Sequence, residues 1–254
     1  MIRSITNCDW FETYIDCVEE NYTRISILNS SQREDAWILA EKLELCTEEI
    51  KRCNSAACKL CNHRYKVARC DEVVSKIKQS GFKWRVLTVI DYSRSVRREY
   101  LTDDITKKAK MRWGQTLRRC RVEGPVIGGV ELDYHEECSM WLLHAHLLYP
   151  ETEANIEPIR EFRGRIKKQQ PIHIKENRDA KPILKQPLRN PYRQVSYAYK
   201  LSSFRVLDYE DRIYKKNRTK KYRLNIPETA DILCLMDHLG RRAFLFSYGE
   251  DAWR

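Results

Sequence analysis

Three groups of side chains in this 254-residue sequence are spaced for chemistry, and the first is His144-Ala145-His146 within an apolar run from Met140 to Tyr149. If that run is a strand, alternation puts both imidazoles on one face. On the run before it, the same parity groups Gly129, Glu131, Asp133 and His135. An antiparallel hairpin turning at Glu136-Glu137-Cys138-Ser139 then sets Glu131 opposite His144. A slip of two residues sets Glu131 opposite His146 and Asp133 opposite His144. Either register brings two histidines and a carboxylate together, a donor set that can hold a metal ion with positions left open for a phosphate. The bland reading, satisfied polar residues on a half-buried strand, must still find partners for two imidazoles once water is excluded.

The second group is Cys53, Cys58 and Cys61 in a Cys-x4-Cys-x2-Cys spacing, with Cys46 before and Cys70 after. Thiolates so spaced can wrap one tetrahedral zinc ion, which is structural when the protein fills all four positions. Cys46 is the first choice for the fourth ligand, followed by Cys70 and His63. Cys8, Cys17, Cys120 and Cys234 are scattered and read as plain buried thiols. The third group is Tyr197 with Lys200 three residues on and Arg193 a turn earlier, on an expected helix. Cations beside a phenol favour its ionised, nucleophilic form. Tyr192 and Tyr199 are rival nucleophiles.

Elements that would position these groups can be read from periodicity. Ser31 to about Lys51 reads as an amphipathic helix capped by Ser30 or Ser31, and Phe82 to Tyr92 as the strand that opens the sheet. Thr106 to Cys120 reads as a helix, Val126 to Tyr149 as the hairpin, Tyr192 to Phe204 as helical, and Ile226 to Tyr248 as a last helix and strand. Between Pro150 and Pro191 the chain is rich in Lys, Arg and Gln with little periodicity, and reads as a mobile basic loop. Mixed helices and strands with a clear hairpin make this an α+β protein. The division expected is an N-terminal helical and cysteine-rich module over residues 1–75 and a second domain over 76–254, with the basic loop at about 150–191.

The net charge is +11, with 47 Lys and Arg against 36 Asp and Glu, so the surface field attracts polyanions. Nucleic acid is the first candidate partner. Arg64 and Lys66 beside the cysteines, and Lys167, Lys168, Lys215 and Lys216 in later basic runs, are the candidate phosphate contacts. Trp84 and Trp113 read as core residues. The longest apolar run is far short of a membrane span, and no secretory signal is visible, so a cytoplasmic site with reduced cysteines is expected. No glycine-rich phosphate loop supports nucleotide hydrolysis.

Taken in order, the hydrophobic Val86-Leu87-Thr88-Val89, His144-Ala145-His146 and Tyr197-Ala198-Tyr199-Lys200 resemble the three motifs of HUH endonucleases. Their spacing is similar to that of plasmid rolling-circle replication initiators, which also commonly carry an upstream cysteine cluster and a late segment like Leu239-Gly240-Arg241-Arg242. The likeness runs loosely from about Cys46 to Gly249. It implies an antiparallel sheet of about five strands flanked by helices, and Mg or Mn held by the two histidines with Glu131 or Asp133. It also implies attack by Tyr197 on single-stranded or hairpin origin DNA, with Lys200 positioning or charge-stabilising the tyrosine. The product would be a 5′-phosphotyrosine link and a 3′-hydroxyl that primes synthesis, with a host helicase and polymerase as partners. Arg193 stands where some relatives carry a glutamate that activates water. An HUH relaxase or transposase is an alternative within the class; a non-catalytic zinc-containing DNA-binding protein is one outside it.

Overall fold

A computed structural model describes residues 4–168, 182–211 and 216–249, the side chains at 210, 211 and 216–218 aside. The chain divides into two compact units, one formed by Met1–Phe82, Arg189–Leu201 and Asn225–Leu245, the other by Lys83–Leu188, Ser202–Leu224 and Phe246–Arg254.

The first unit is helical: α1 (Tyr14–Asn29), α2 (Glu34–Thr47), α3 (Lys59–Gln79), α6 (Pro191–Ala198) and α7 (Ile226–Leu239). Helix α1 starts at a capping box in which the Asp16 carboxylate accepts from the Thr13 amide and the Thr13 hydroxyl accepts from the Asp16 amide. Helix α2 buries Ala36, Leu39, Ala40 and Leu43, the spacing of a single helical face. The expected serine cap is not what starts it: Arg33 occupies the cap position, and Ser31 Oγ donates to the Leu28 carbonyl at the end of α1. Helix α1 packs on α2, α3 and α7, and α6 packs on α3. The Lys42–Asp237 ion pair at 2.7 Å joins α2 to α7.

The second unit holds the sheet, built from β1 (Trp84–Arg97), β2 (Val126–His135), β3 (Met140–Pro150), β4 (Ile183–Pro187), β5 (Arg205–Asp211), β6 (Lys216–Tyr222) and β7 (Leu245–Tyr248). The order is β4-β1-β3-β2-β5-β6, with β7 also on β2. The α+β class holds, but the sheet is mixed and has seven strands among the described residues, in place of about five antiparallel ones. Strands β4, β1, β3 and β2 are antiparallel neighbours, whereas β5 runs parallel to β2 across Tyr134↔Arg205 and His135↔Val206. The extra strands come from segments whose lysines and arginines hide any alternation: β6 lies within the basic run Tyr214 to Arg223, and an edge strand tolerates charge on both faces.

Much of the expected basic loop is also ordered structure. Residues 153–168 form α5 (Glu153–Lys168), because Ile159, Phe162 and Ile166 recur at helical spacing and are buried. Pro158 near its start is tolerated, and β4 takes up residues 183–187. The remainder, 169–181, lies outside the described residues. Helix α4 (Ile105–Arg119) packs on α5 and β1 and buries Trp113 and Leu117. Arg112 of α4 comes within 3.6 Å of Asp91, which alternates onto the sheet face opposite Thr88. This α4 side is therefore the apolar one, lined by Leu87, Val89, Leu143, Ala145 and Leu147, all fully buried. The other side carries the histidines. Trp84 and Trp113 are core residues, as expected. Among the described residues, no helix is long and apolar enough to cross a membrane.

Candidate functional site

Strand β3 is central in the sheet, and its register with β2 pairs Glu131 with His144 and Gly129 with His146. Of the two registers open to the sequence, this is the unslipped one. The side-chain contacts nevertheless run along the diagonals: His144 Nδ1 lies 3.6 Å from Asp133 Oδ2, and His146 Nε2 lies 3.5 Å from Glu131 Oε1. Diagonal neighbours on an antiparallel pair are within reach of long side chains, so each imidazole leans toward the carboxylate two residues away. From β1, Thr88 Oγ1 sits 3.1 Å from His146 Nδ1, as its pairing with His146 requires. The two histidines and two carboxylates are nearly sealed from water, with Asp133 at 0% and His144 at 7% exposure.

Two more side chains complete this face. His135, the last residue of β2, brings its Nε2 to 3.3 Å from His144 Nε2. Period-two alternation already groups it with Glu131 and Asp133, so the signal for it is present in the sequence. Lys221 of β6 places its ammonium 2.6 Å from Asp133 Oδ2 and 3.8 Å from Glu131 Oε2. Nothing in the basic run distinguishes this lysine from its neighbours; the contact depends on a strand pairing that alternation does not reveal. The Phe204 amide donates to Asp133 Oδ1 at 2.9 Å. Histidines and carboxylates thus meet pairwise here.

Among the described residues, the cysteines are the one group in which three or more metal-ligating atoms lie within 4.8 Å of one another: Cys46, Cys53, Cys58 and Cys61. The sulfur separations are 3.7 Å for Cys46–Cys61 and 3.8 Å for both Cys53–Cys61 and Cys46–Cys58. Four sulfurs at about 2.3 Å from a tetrahedral zinc ion are about 3.8 Å apart, so this arrangement fits the metal. A disulfide needs about 2 Å, and all ten cysteines are thiols. Cys58 caps α3, and its sulfur accepts the Cys61 amide at 3.4 Å, which brings the Cys-x2-Cys arm onto the first helical turn. Thiol donors from Cys53 and then Cys58 hold the Cys61 thiol well below the ordinary range. Asn21 of α1 supports the loop by donating to Cys58 Sγ and Thr47 Oγ1 and accepting the Lys59 amide.

Of the rivals for the fourth position, Cys70 is buried with its thiol pushed up to about 12 by desolvation, outside the group. His63 stacks on Phe11, with Nε2 at 3.1 Å from the Glu12 carbonyl. Arg241 reaches the first turns of α3, donating to Asn62 Oδ1 at 3.2 Å and lying over the Tyr65 ring.

Tyr197 belongs to the helical unit, in the last turn of α6. It is 44% exposed, whereas Tyr199 and Tyr192 are 1% and 9% exposed, under Arg69 and Lys78 respectively. Helix α6 stops at Ala198, so Lys200 does not share a helical face with Tyr197; its ammonium instead folds over the Tyr197 ring, 4.2 Å from the centroid.

Among the basic residues assigned to DNA, Arg64 is exposed on α3, and Lys167 and Lys168 are exposed at the end of α5. Lys66 requires correction. It is 7% exposed, pairs with Glu12 at 3.2 Å and lies over the Phe11 ring, so its ammonium is committed inside the fold. Burial lowers its pKa, with Glu12 opposing. Lys215 and the side chain of Lys216 lie outside the described residues.

No protein-family model, curated protein or solved structure matches this chain.

Proposed function

We propose that the protein nicks and rejoins single-stranded origin DNA to start rolling-circle plasmid replication, through a metal-dependent 5′-phosphotyrosine intermediate. The observation that carries the reading is the buried pair His144 and His146 on the central strand, each leaning on a carboxylate of β2. The motif resemblance, the net charge of +11 and the exposure of Tyr197 support it further.

His144, His146, Glu131 and Asp133 would hold the ion, with His135 as an added imidazole. Two or three nitrogens beside two carboxylates suit Mn better than Mg, which favours oxygen ligands and waters. Bound there, a divalent ion supplies Lewis-acid polarisation of the scissile phosphate.

In the chemistry that the motif resemblance implies, Tyr197 Oη would bond to phosphorus while the bond from phosphorus to O3′ breaks. The phenolic proton goes to solvent, and the leaving oxygen takes up a proton to become the 3′-hydroxyl primer. Lys200, with its ammonium over the ring, would hold the tyrosine in place and bring positive charge beside the phosphate. Rejoining is the reverse transfer onto a 3′-hydroxyl. The four-cysteine site is read as structural zinc that fixes α3 and its loop, with Arg64, Lys167 and Lys168 meeting phosphates.

The deciding experiment incubates the protein with single-stranded origin DNA and Mn, then maps any DNA-peptide conjugate by mass spectrometry. A conjugate on Tyr197 supports the reading, while one on Tyr192 or Tyr199 removes the nucleophile assignment. The engagement of Asp133 by Lys221 and the Phe204 amide favours a second reading, a zinc-containing DNA-binding protein whose histidines are structural. DNA binding without any conjugate selects it. A relaxase or transposase would share the chemistry and differ in the DNA it accepts.

A further inference from the structure

We propose that Lys221 is the resident counter-cation of the hairpin carboxylates and that a divalent ion can bind there only by displacing it. The inference rests on the metal reading of His144 and His146 and adds the regulation of that site.

Asp133 and Glu131 are 0% and 3% exposed, and two carboxylates so buried need positive charge close by. Lys221 supplies it. The decisive detail is which oxygen it uses. Asp133 Oδ1 accepts the Phe204 amide, so Oδ2 is the oxygen turned toward His144 Nδ1, and Oδ2 is the atom that takes the Lys221 ammonium at 2.6 Å. An ion bridging His144 and Asp133 needs that same oxygen. An ammonium at hydrogen-bond distance and a divalent ion at about 2.1 Å would repel each other across a single atom.

The surroundings allow Lys221 to leave. Its side chain is 33% exposed, whereas the carboxylates it joins are sealed. The ammonium lies 5.0 Å over the Phe204 ring, an alternative rest for a cation once Asp133 is given up. Strand β6 ends the sheet order, and β5 joins β2 through only two residue pairs. The Glu136–Arg205 ion pair at 2.8 Å and the Phe204 amide bond tie β5 to β2 independently of Lys221. Displacement therefore exchanges one cation for another and leaves the β2–β3 hairpin in place. Apparent metal affinity is lowered by the cost of expelling Lys221, and metal binding in turn loosens β6, since coupling between two sites is reciprocal.

Mn titration followed by the electron paramagnetic resonance of unbound Mn, on the full zinc-loaded chain, tests this with Lys221→Met, Lys221→Arg and His144→Ala. Lys221→Met should bind Mn about tenfold or more tightly than the parent, at a site lost when His144→Ala is added, and Lys221→Arg should stay near the parent. A folded Lys221→Met protein with unchanged or weaker Mn affinity overturns the inference and makes Lys221 a structural pin. If neither the parent nor Lys221→Met shows His144-dependent Mn binding, the metal reading itself falls. Should Lys221→Met fail to fold, amide exchange in the parent decides: faster exchange at residues 219–222 on adding Mn is expected, and unchanged or slower exchange overturns it.

Discussion

Gly128 and His146 approach so closely across the β2–β3 ladder that a Cβ built on Gly128 would lie 1.9 Å from the His146 carbonyl oxygen. No side-chain rotation relieves such a contact, because the obstructing atom is backbone. Gly128→Ala must therefore push β2 away from β3 at the point where His146 is held. Urea unfolding should show a loss of about 3 kcal/mol, the upper range for overpacking. On the proposed metal reading, Mn binding that depends on His146 should fall with it. Parental stability in the Gly128→Ala protein would mean that the two strands are not paired in this register.

The cysteine site predicts one zinc ion per purified chain by elemental analysis. Cys61→Ser should abolish it and lower the thermal midpoint by about 10 °C or more, since structural zinc contributes directly to folding free energy. Asn21→Ala should retain the ion but weaken it, because the amide of Asn21 orients Cys58 Sγ at 3.3 Å. Cys70→Ser, by contrast, should leave zinc content unchanged.

The parts of this fold legible in the sequence are those whose signal is local. The hairpin from Val126 to Tyr149 alternates cleanly around a polar turn, so its faces follow from parity, while parity leaves open the two registers of which the structure takes the one pairing Glu131 with His144. The four cysteines follow from spacing. The diagonal contacts of His144 and His146 do not, because a register fixes backbone partners and leaves side-chain rotamers to packing. Nor do β5 and β6, where the charged run between Tyr214 and Arg223 masks alternation; Lys221 consequently reads as one solvent lysine among several. Lys66 misleads for the converse reason: composition registers a cation, while only the fold reveals that Glu12 and Phe11 enclose it.

On the proposed chemistry, Tyr197→Phe should leave DNA binding within about twofold while removing the covalent conjugate, because it deletes only the attacking oxygen. His144→Ala should lower Mn-dependent nicking by at least about a hundredfold, a typical loss when a ligand or its supporting contact is removed. Tyr199→Phe should retain conjugate formation, with any change appearing in stability, because Tyr199 is 1% exposed. Conjugate yield and binding measured on the same preparations separate these outcomes.

Arg64 and Lys66 sit two residues apart on α3, yet their substitutions should have opposite signatures. Arg64→Ala should weaken DNA binding across sequences and reduce the slope of log affinity against log salt by about 1, the mark of one lost phosphate contact. Lys66→Ala should leave that slope alone and cost about 2 kcal/mol of folding stability. This is below the usual 3–5 kcal/mol for breaking a buried pair, because Lys59 still faces Glu12 at 2.5 Å. Parallel salt titrations and denaturation curves distinguish the two.

Glu151 provides a test of pH dependence away from every candidate ligand. Its carboxylate takes Arg85 Nε at 2.6 Å and is paired with the Lys185 ammonium, joining β1 and β4 at the end of β3. Hydrogen bonding from Arg85 is the largest influence and holds its pKa below the ordinary 4.5; burial opposes it, and Lys185 adds to the lowering. A depressed carboxylate pKa means that the unfolded chain takes up the proton first as pH falls. The stabilisation is thus complete above about pH 5 and is lost progressively below it, as the folded-state pKa is approached. Glu151→Gln should destabilise the protein by at most about 1 kcal/mol at pH 7, since the pair is partly exposed. Its difference from the parent should shrink between pH 5 and pH 3. Thermal melts across that range read the convergence directly, and a gap that widens toward acid would show that Glu151 is not held ionised by Arg85 and Lys185.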